Sequence, residues 1–290
     1  MRMVFVHAHP DDESLWTGLA IAHHAARGDE VHVLTATLGE EGEVIPPELA
    51  HLQLPDGEPR PADIADPLAQ VRRDELACAT KALGVSSATV LADGGYRDSG
   101  MAGTPSAEHP RALTGASVDE VAAAIAGHLR ELDADVVVSY DAHGGYGHPD
   151  HIRTHDATRL AVASMDAPPA LYAVVTPRSW AIEDRRWLAE HVDREGVIVP
   201  SPDEAFLPSV VDDQVVTHTI VDEAALPAQA AALEQHRTQV TVFDGYYTLS
   251  NDVATRLAAR EAFVRLDPVT GEVAEGTPSA RELRHTGLEA

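Results

Sequence analysis

Two knots of imidazole and carboxyl groups, each placed where a short apolar run stops, constrain this chain more than any other feature. Met3-Val4-Phe5-Val6 is followed by His7-Ala8-His9-Pro10-Asp11-Asp12-Glu13, with two histidines and three carboxyl groups in seven residues. Val136-Val137-Val138 is followed by Tyr140-Asp141 and then by Gly144-Gly145-Tyr146-Gly147-His148-Pro149-Asp150-His151. Short apolar runs bounded in this way fit buried strands whose ends carry polar chemistry. A fold that brings the two ends together assembles a site for a divalent cation, with zinc as the first choice.

The pattern around the knots says how they could meet. Strands are expected at 1–7, 30–37, 88–92, 135–140 and 171–176, with helices at 13–27, 66–83, 117–132 and 149–164 between and after them. Gly28 stands where a left-handed cap residue would end the first helix. Ser117 with Glu120 has the spacing of a capping box, and Pro149 sits in a first turn, where its missing N–H costs nothing. Strand and helix in alternation imply an α/β fold: a Rossmann-like open, mostly parallel sheet flanked by helices, joined by right-handed crossovers. This catalytic domain is expected over residues 1–177. Residues 178–266 are less regular and are expected to form an α+β extension that shapes the substrate pocket. It would hold a helix at 178–191, a strand at 215–221, an Ala-rich helix at 223–236 and a last helix at 251–263. A polar tail, 267–290, is expected to be weakly ordered. Residues 46–67 and 93–110 are expected as long surface loops.

Composition narrows the function. The formal net charge is −26, and no basic patch offsets it. Such a field repels nucleic acid and anionic membrane surfaces but is indifferent to a neutral sugar. No run approaches the roughly 18–20 apolar residues that span a bilayer. Met1-Arg2 leads directly into a strand, without the pattern of a signal peptide. The single cysteine, Cys78, excludes an internal disulfide framework and is expected to be a buried, inert thiol. These features fit a cytoplasmic protein acting on a small molecule, with the oligomeric state left open.

Open parallel sheets bind ligands beyond the carboxyl ends of their strands, at the switch point where successive helices go to opposite faces. In the common doubly wound order that point lies between the first and fourth strands, and both knots fall there. A nucleotide-binding sheet would carry glycines after its first strand. His9-Pro10-Asp11-Asp12 would instead repel phosphate and attract a cation. Catalytic zinc commonly takes three protein ligands and leaves one position for water. His9 and Asp12 supply two, and His148 or His151 the third; spacing alone does not choose between them. A set of two imidazoles and a carboxylate would also accept ferrous iron.

His-Pro-Asp-Asp-Glu after the first strand and His-Pro-Asp-His after the fourth resemble the LmbE-type, or PIG-L-like, zinc N-deacetylases. Leu38-Gly39-Glu40-Glu41-Gly42-Glu43-Val44-Ile45, Arg97-Asp98-Ser99-Gly100-Met101-Ala102-Gly103-Thr104 and the Gly144 to His151 stretch resemble one branch. That branch is the N-acetylglucosaminyl-inositol deacetylases of mycothiol biosynthesis. The likeness runs from Met1 to about Ser164 and recurs at His236-Arg237-Thr238-Gln239-Val240.

The resemblance implies that His9, Asp12 and His151 bind the metal, and that Asp11 is the general base. His148 would stabilise or protonate as general acid, and Tyr146 would help polarise the amide carbonyl. Arg72 and Asp98 would contact sugar or inositol hydroxyls. The chemistry agrees, since a Lewis acid, an adjacent base and a donor to the oxyanion are what amide hydrolysis requires. Tyr140-Asp141 and Asp150 are candidates to orient the ligand imidazoles from behind.

The implied activity is removal of the N-acetyl group from 1-O-(2-acetamido-2-deoxy-alpha-D-glucopyranosyl)-1D-myo-inositol. One alternative is the related amidase that cleaves mycothiol S-conjugates. Those amidases usually carry a lysine early in the first helix, where this chain has Leu15-Trp16-Thr17 and no lysine before Lys81. Another LmbE-like N-acetylglucosamine deacetylase is a further alternative. A non-catalytic sugar- or nucleotide-binding module would account for the sheet but not for two acidic knots at one crevice.

Overall fold

The first apolar run becomes β1 (Arg2–His7), whose side chains alternate between two cores. The computed structural model describes residues 1–54, 66–275 and 287–290. After β1 come α1 (Asp12–Ala26), β2 (Glu30–Thr35), α2 (Pro67–Ala82), β3 (Ser87–Val90), α3 (Val118–Glu131) and β4 (Val136–Tyr140). A short turn, α4 (Gly144–Gly147), leads into α5 (Pro149–Ala163) and β5 (Ala170–Pro177). The chain continues through α6 (Arg178–His191), β6 (Val210–Val211), β7 (His218–Val221) and α7 (Leu226–Leu233). It ends in β8 (Thr241–Phe243), β9 (Tyr246–Thr248), β10 (Thr255–Arg256) and β11 (Arg260–Leu266).

The main sheet runs β3-β2-β1-β4-β5-β11-β7, with β6 on the end of β5; β8, β9 and β10 form a small second sheet. Every pairing from β3 to β5 is parallel, and β11 joins antiparallel to both of its neighbours. Met3 and Phe5 face a core built with α1, α2 and α7, while Val4 and Val6 face one built with α3 and α5. The helix after β1 and the helix after β4 therefore cover opposite faces, and these two parallel strands are neighbours in the sheet. The switch point lies where the order of apolar runs places it.

Local signals explain several boundaries. Asp66 caps α2 by accepting from Leu68 N and Ala69 N, and Gly28 follows α1 with φ 88°. Ser117 Oγ accepts from Glu120 N at 3.1 Å. Glu120 does not complete the box, because its carboxylate accepts from the Tyr96 hydroxyl at 3.0 Å instead.

The structure departs from the sequence reading after residue 250. The last helix expected at 251–263 is absent; this stretch holds β10 and the start of β11. Its Ala, Arg and Leu content favours a helix only weakly. The open edge of β5 offers a ladder in which Ala262 to Leu266 pair with Val175 to Leu171. Phe263 faces one core while Ala262 and Val264 face another, the period-2 pattern of a strand. Glu261, beside them, accepts from Leu19 N and Ala20 N at 2.8 and 2.9 Å, so β11 also grips α1. Burial pushes its carboxyl up to about 8.

Two further differences concern burial. Cys78 is exposed, not buried, because it lies off the α2 stripe formed by Leu68, Arg72, Glu75, Leu76 and Ala79. In the polar tail, Arg159 Nη1 donates to Pro268 O and Val269 O. Leu288 packs into the core, and the Tyr172 hydroxyl donates to Glu289 O at 2.7 Å. The rest of the tail, 276–286, lies outside the described residues, as does 55–65 within the expected 46–67 loop. No helix among the described residues is long and apolar enough to cross a membrane.

Since Phe263 is fully buried, Phe263→Ala should lower the unfolding free energy by about 3–5 kcal/mol in a urea titration. A loss below about 1 kcal/mol would be that of a surface position and would count against this role for β11.

Candidate metal centre

Beyond β1 the chain turns sharply at His9-Pro10-Asp11. Asp11 has φ 120° and ψ −32°, in a region that residues other than glycine rarely adopt and that costs of the order of 1–3 kcal/mol. It stands at the N-cap of α1, yet its side chain makes no cap hydrogen bond. Its carboxylate instead accepts from Arg72 Nη2 at 3.0 Å. The same nitrogen donates to Pro10 O, and Arg72 Nη1 donates to Gly39 O at 2.5 Å. Asp11 is thus held by a cation from α2 rather than by a cap bond to its own helix.

Three atoms converge across the switch point. His9 Nδ1 lies 3.2 Å from His151 Nε2 and 3.4 Å from Asp12 Oδ2, and His151 Nε2 lies 3.4 Å from Asp12 Oδ2. With metal–ligand distances near 2.0–2.1 Å, the edge of a zinc tetrahedron is roughly 3.3 Å. The triangle thus matches one face of such a tetrahedron. The residues that the resemblance nominated would fit an ion on this face; His148 also comes together with His9 and His151 as a group that could hold one.

The far sides of the ligands set their tautomers. His9 Nε2 lies 3.4 Å from Asp150 Oδ2 and 3.5 Å from Asp98 Oδ1. A proton on that nitrogen leaves the Nδ1 lone pair directed at the site. His151 Nδ1 donates to Gly144 O at 3.2 Å, leaving its Nε2 lone pair directed there too. A Cβ on Gly144 would come within 2.7 Å of the His151 Cβ, so only glycine allows this approach. Asp12 Oδ2 accepts from the Tyr140 hydroxyl at 2.6 Å and from His9 N at 2.9 Å. The Tyr140 ring also stacks on His151, with centroids 4.2 Å apart.

The electrostatics favour positive charge here. Burial works against ionising Asp12 and Asp98, yet the histidines beside them hold both carboxyls below the usual range. Burial also works against charging His9, yet Asp98, Asp12 and Asp150 raise it well above an ordinary imidazole. Asp11 behaves differently. Burial pushes it up to about 7, Asp12 adds to the rise, and Arg72 opposes it. Burial and then His9 lower His148 to about 3.

The other expected residues fall into place around this centre. His148 is buried, with its ring 4.7 Å from that of His9 and 5.0 Å from that of His151. Its Nδ1 accepts from Asp150 N at 3.2 Å, so the neutral ring carries its proton on Nε2. Tyr146 is exposed at the rim, with its ring 5.1 Å from that of His151. Asp98 is buried between His9, Gly100 N and Glu41 N. Arg72 is 3% exposed and lies beneath Asp11 rather than on a surface that a sugar would touch. Of the groups expected behind the imidazoles, Asp150 supports His9. Asp141 instead accepts from Gly145 N at 2.8 Å, and Tyr140 donates to a carboxylate.

His7, the other histidine of the first knot, hydrogen-bonds Thr17 Oγ1 at 2.9 Å; burial lowers it to about 4. His143 is exposed. Sequence reasoning missed Glu13 and His236, both fully buried, whose Oε1 and Nε2 lie 2.7 Å apart. The signal was present in the second stretch of likeness around His236.

A family profile described as PIG-L: GlcNAc-PI de-N-acetylase matches residues 4–162. A protein of Actinosynnema mirum is 46% identical over 269 residues, covering 91% of each chain, and one of Rhodococcus jostii is 45% identical over 286 residues, covering 93% of each. Each is named 1D-myo-inositol 2-acetamido-2-deoxy-alpha-D-glucopyranoside deacetylase. Among solved structures, a triple mutant of a deacetylase from the teicoplanin biosynthetic pathway superposes with a TM-score of 0.52. It has 20% identity and covers 92% of this chain and 99% of its own; at that identity the likeness concerns the fold.

If the triangle holds the ion, protein purified with zinc should carry one metal per chain by elemental analysis. His9→Ala and His151→Ala should each abolish this, while His148→Ala should retain it. Retention by His151→Ala with loss by His148→Ala would move the third ligand to His148.

Proposed function

The chain belongs to the PIG-L family, and on that premise we propose that it is a metal-dependent N-deacetylase. Its substrate in this reading is 1-O-(2-acetamido-2-deoxy-alpha-D-glucopyranosyl)-1D-myo-inositol, and its products are acetate and the free amine, in mycothiol biosynthesis. The carrying observation is geometric: His9, Asp12 and His151 form a three-ligand face that fits zinc, and Asp11, whose carboxylate Arg72 holds at 3.0 Å, is next in sequence to one of its corners. The names and near-complete coverage of the relatives support the substrate. Leu15-Trp16-Thr17, without the amidases' lysine, favours this substrate over mycothiol S-conjugates. We place the enzyme in the cytoplasm, where one cysteine and no disulfide are ordinary.

His9, Asp12 and His151 would hold the ion, with zinc preferred and ferrous iron compatible with the same donors. When bound, it supplies Lewis acidity toward water and the amide carbonyl. Asp11 accepts a proton as water adds to the carbonyl carbon. Arg72 holds the Asp11 carboxylate at 3.0 Å. Tyr146 donates to the carbonyl oxygen as charge develops there, and His148, neutral with its proton on Nε2, adds a second donor. The proton taken up by Asp11 passes to the nitrogen as the C–N bond breaks, releasing the amine and acetate. Asp98 stands behind His9, 3.5 Å from its Nε2. This differs from the direct hydroxyl contact that the resemblance implies for Asp98, and likewise for Arg72.

Acetate and amine release from the acetylated glucosaminyl-inositol, assayed beside a mycothiol S-conjugate, tests the reading. Asp11→Asn should lower kcat by about 10²–10⁴-fold with metal content unchanged. Full activity of that variant, or a preference for the conjugate, would overturn the assignment.

The pH profile gives a second test. Asp11 must be ionised to act, so kcat/KM should fall as the pH drops through its pKa. A bound divalent cation favours the carboxylate, which puts this acid limb below 7. Arg72 also lowers the Asp11 pKa, so Arg72→Gln should move the limb to higher pH. No movement, or movement to lower pH, would mean that Asp11 does not control the limb.

A further inference from the structure

The base of the reaction sits on strained backbone, and a residue far away in sequence is connected to it. Asp11 N donates to Glu13 Oε2 at 3.0 Å. The other oxygen of Glu13 faces His236 Nε2 at 2.7 Å and also accepts from Ser14 Oγ at 2.5 Å. Glu13 and His236 are both fully buried, and neither touches the three ligand atoms of the metal face. Removing the imidazole would leave this buried Glu13 oxygen with the Ser14 hydroxyl but without its partner at 2.7 Å.

His236 is itself anchored on several sides. It follows α7, where His236 N donates to Leu233 O at 3.1 Å. Its carbonyl accepts from Gln239 N and Val240 N at 2.9 and 2.8 Å. Two residues on, Thr238 donates through N and Oγ1 to the Glu75 carboxylate, at 2.9 and 2.7 Å. Thr238 O accepts from Ile45 N at 2.9 Å. Glu75 lies on the buried stripe of α2 that also carries Arg72. Arg72 grips the carboxylate of Asp11 and the carbonyl of Pro10. One helix thus fixes the side chain of Asp11 directly, and through Thr238 it supports the segment whose histidine fixes the backbone.

We propose that His236 is a positioning residue for the hydrolysis, acting through Glu13 to hold Asp11 at φ near 120° with its carboxylate turned to the metal face. The proposal rests on the reading of Asp11 as the base. Its distinguishing feature is that it separates base geometry from metal and substrate binding. Loss of His236 should lower kcat while zinc content and KM stay near their original values. A glutamine at 236 keeps a donor within reach of Glu13 and should restore much of the loss.

The experiment uses full-length, zinc-loaded wild type, His236→Ala, His236→Gln, Glu13→Gln and the double variant Glu13→Gln/His236→Ala. For each, kcat, KM, zinc content and melting temperature are measured, and crystal structures give the Asp11 φ. His236→Ala should lose about 10–100-fold in kcat, the range for partners one shell behind a reacting group, with KM within about twofold. Its Asp11 φ should relax, and the double variant should be no worse than Glu13→Gln alone. Wild-type kcat in His236→Ala would overturn the proposal. So would an equal loss in His236→Ala and His236→Gln accompanied by loss of zinc, which is the signature of general structural damage. If wild type itself releases no acetate, the functional reading fails separately. The Asp11 φ then decides the positioning claim, and an unchanged φ in His236→Ala overturns it.

Discussion

Parallel pairing of β1 with β4 is the constraint on which the rest of the structure depends. Met3, Val4 and Phe5 lie in register with Val136, Val137 and Val138, which puts the carboxyl ends of both strands on the same edge of the sheet. The helices that follow leave toward opposite faces and open a crevice between them. His9 and Asp12 come from one lip and His151 from the other. Their ligand atoms lie 3.2–3.4 Å apart although His9 and His151 are separated by most of the catalytic half of the chain. Slipping the pair by one residue would turn each apolar side chain to the other face, so the two cores that flank the sheet also protect the geometry of the site.

The crevice concentrates charge at a place where burial makes charge costly. Each group is satisfied by a specific partner behind it: Tyr140 behind Asp12, Asp150 behind His9, Gly144 O behind His151 and Arg72 behind Asp11. These partners divide adjacent carboxyl groups into two chemical kinds. Asp12, among histidines, stays ionised and suits a ligand. Asp11, buried against another carboxylate with one arginine opposing, is shifted to about 7 and suits proton transfer. Two identical side chains are thus set apart through their surroundings alone.

The region after residue 177 is tied into both the main sheet and the N-terminal knot. β11 pairs with β5 and continues the main sheet, and Glu261 on it binds the backbone of α1. His236 reaches Glu13 at the start of the same helix. The N-terminal knot is therefore held partly by residues more than two hundred positions away. Long-range support of this kind leaves little local trace. Near His236 the chain shows only a short polar stretch after an Ala-rich helix, and the strand of Phe263 carries helix-favouring neighbours.

The sequence by itself determined the alternating strands and helices, the switch point and the candidate ligands. Those depend on apolar period and residue type, which are local properties of a chain. It also nominated Asp11 as the base and Asp150 as a partner behind the ligands. Only the tertiary structure showed that His9, Asp12 and His151 bring ligand-capable atoms within 3.2–3.4 Å of one another with the His148 ring beside them, since which way the α5 turn aims each histidine is not a property of spacing. The same holds for Arg72, placed beneath the base by the packing of α2 against the crevice, and for the stretch at 251–263. There an open strand edge offered more hydrogen bonds and burial than a lone helix could. The physical reason is common to all three. Each outcome is set by partners distant in sequence, whose contribution appears only once the chain has folded around them.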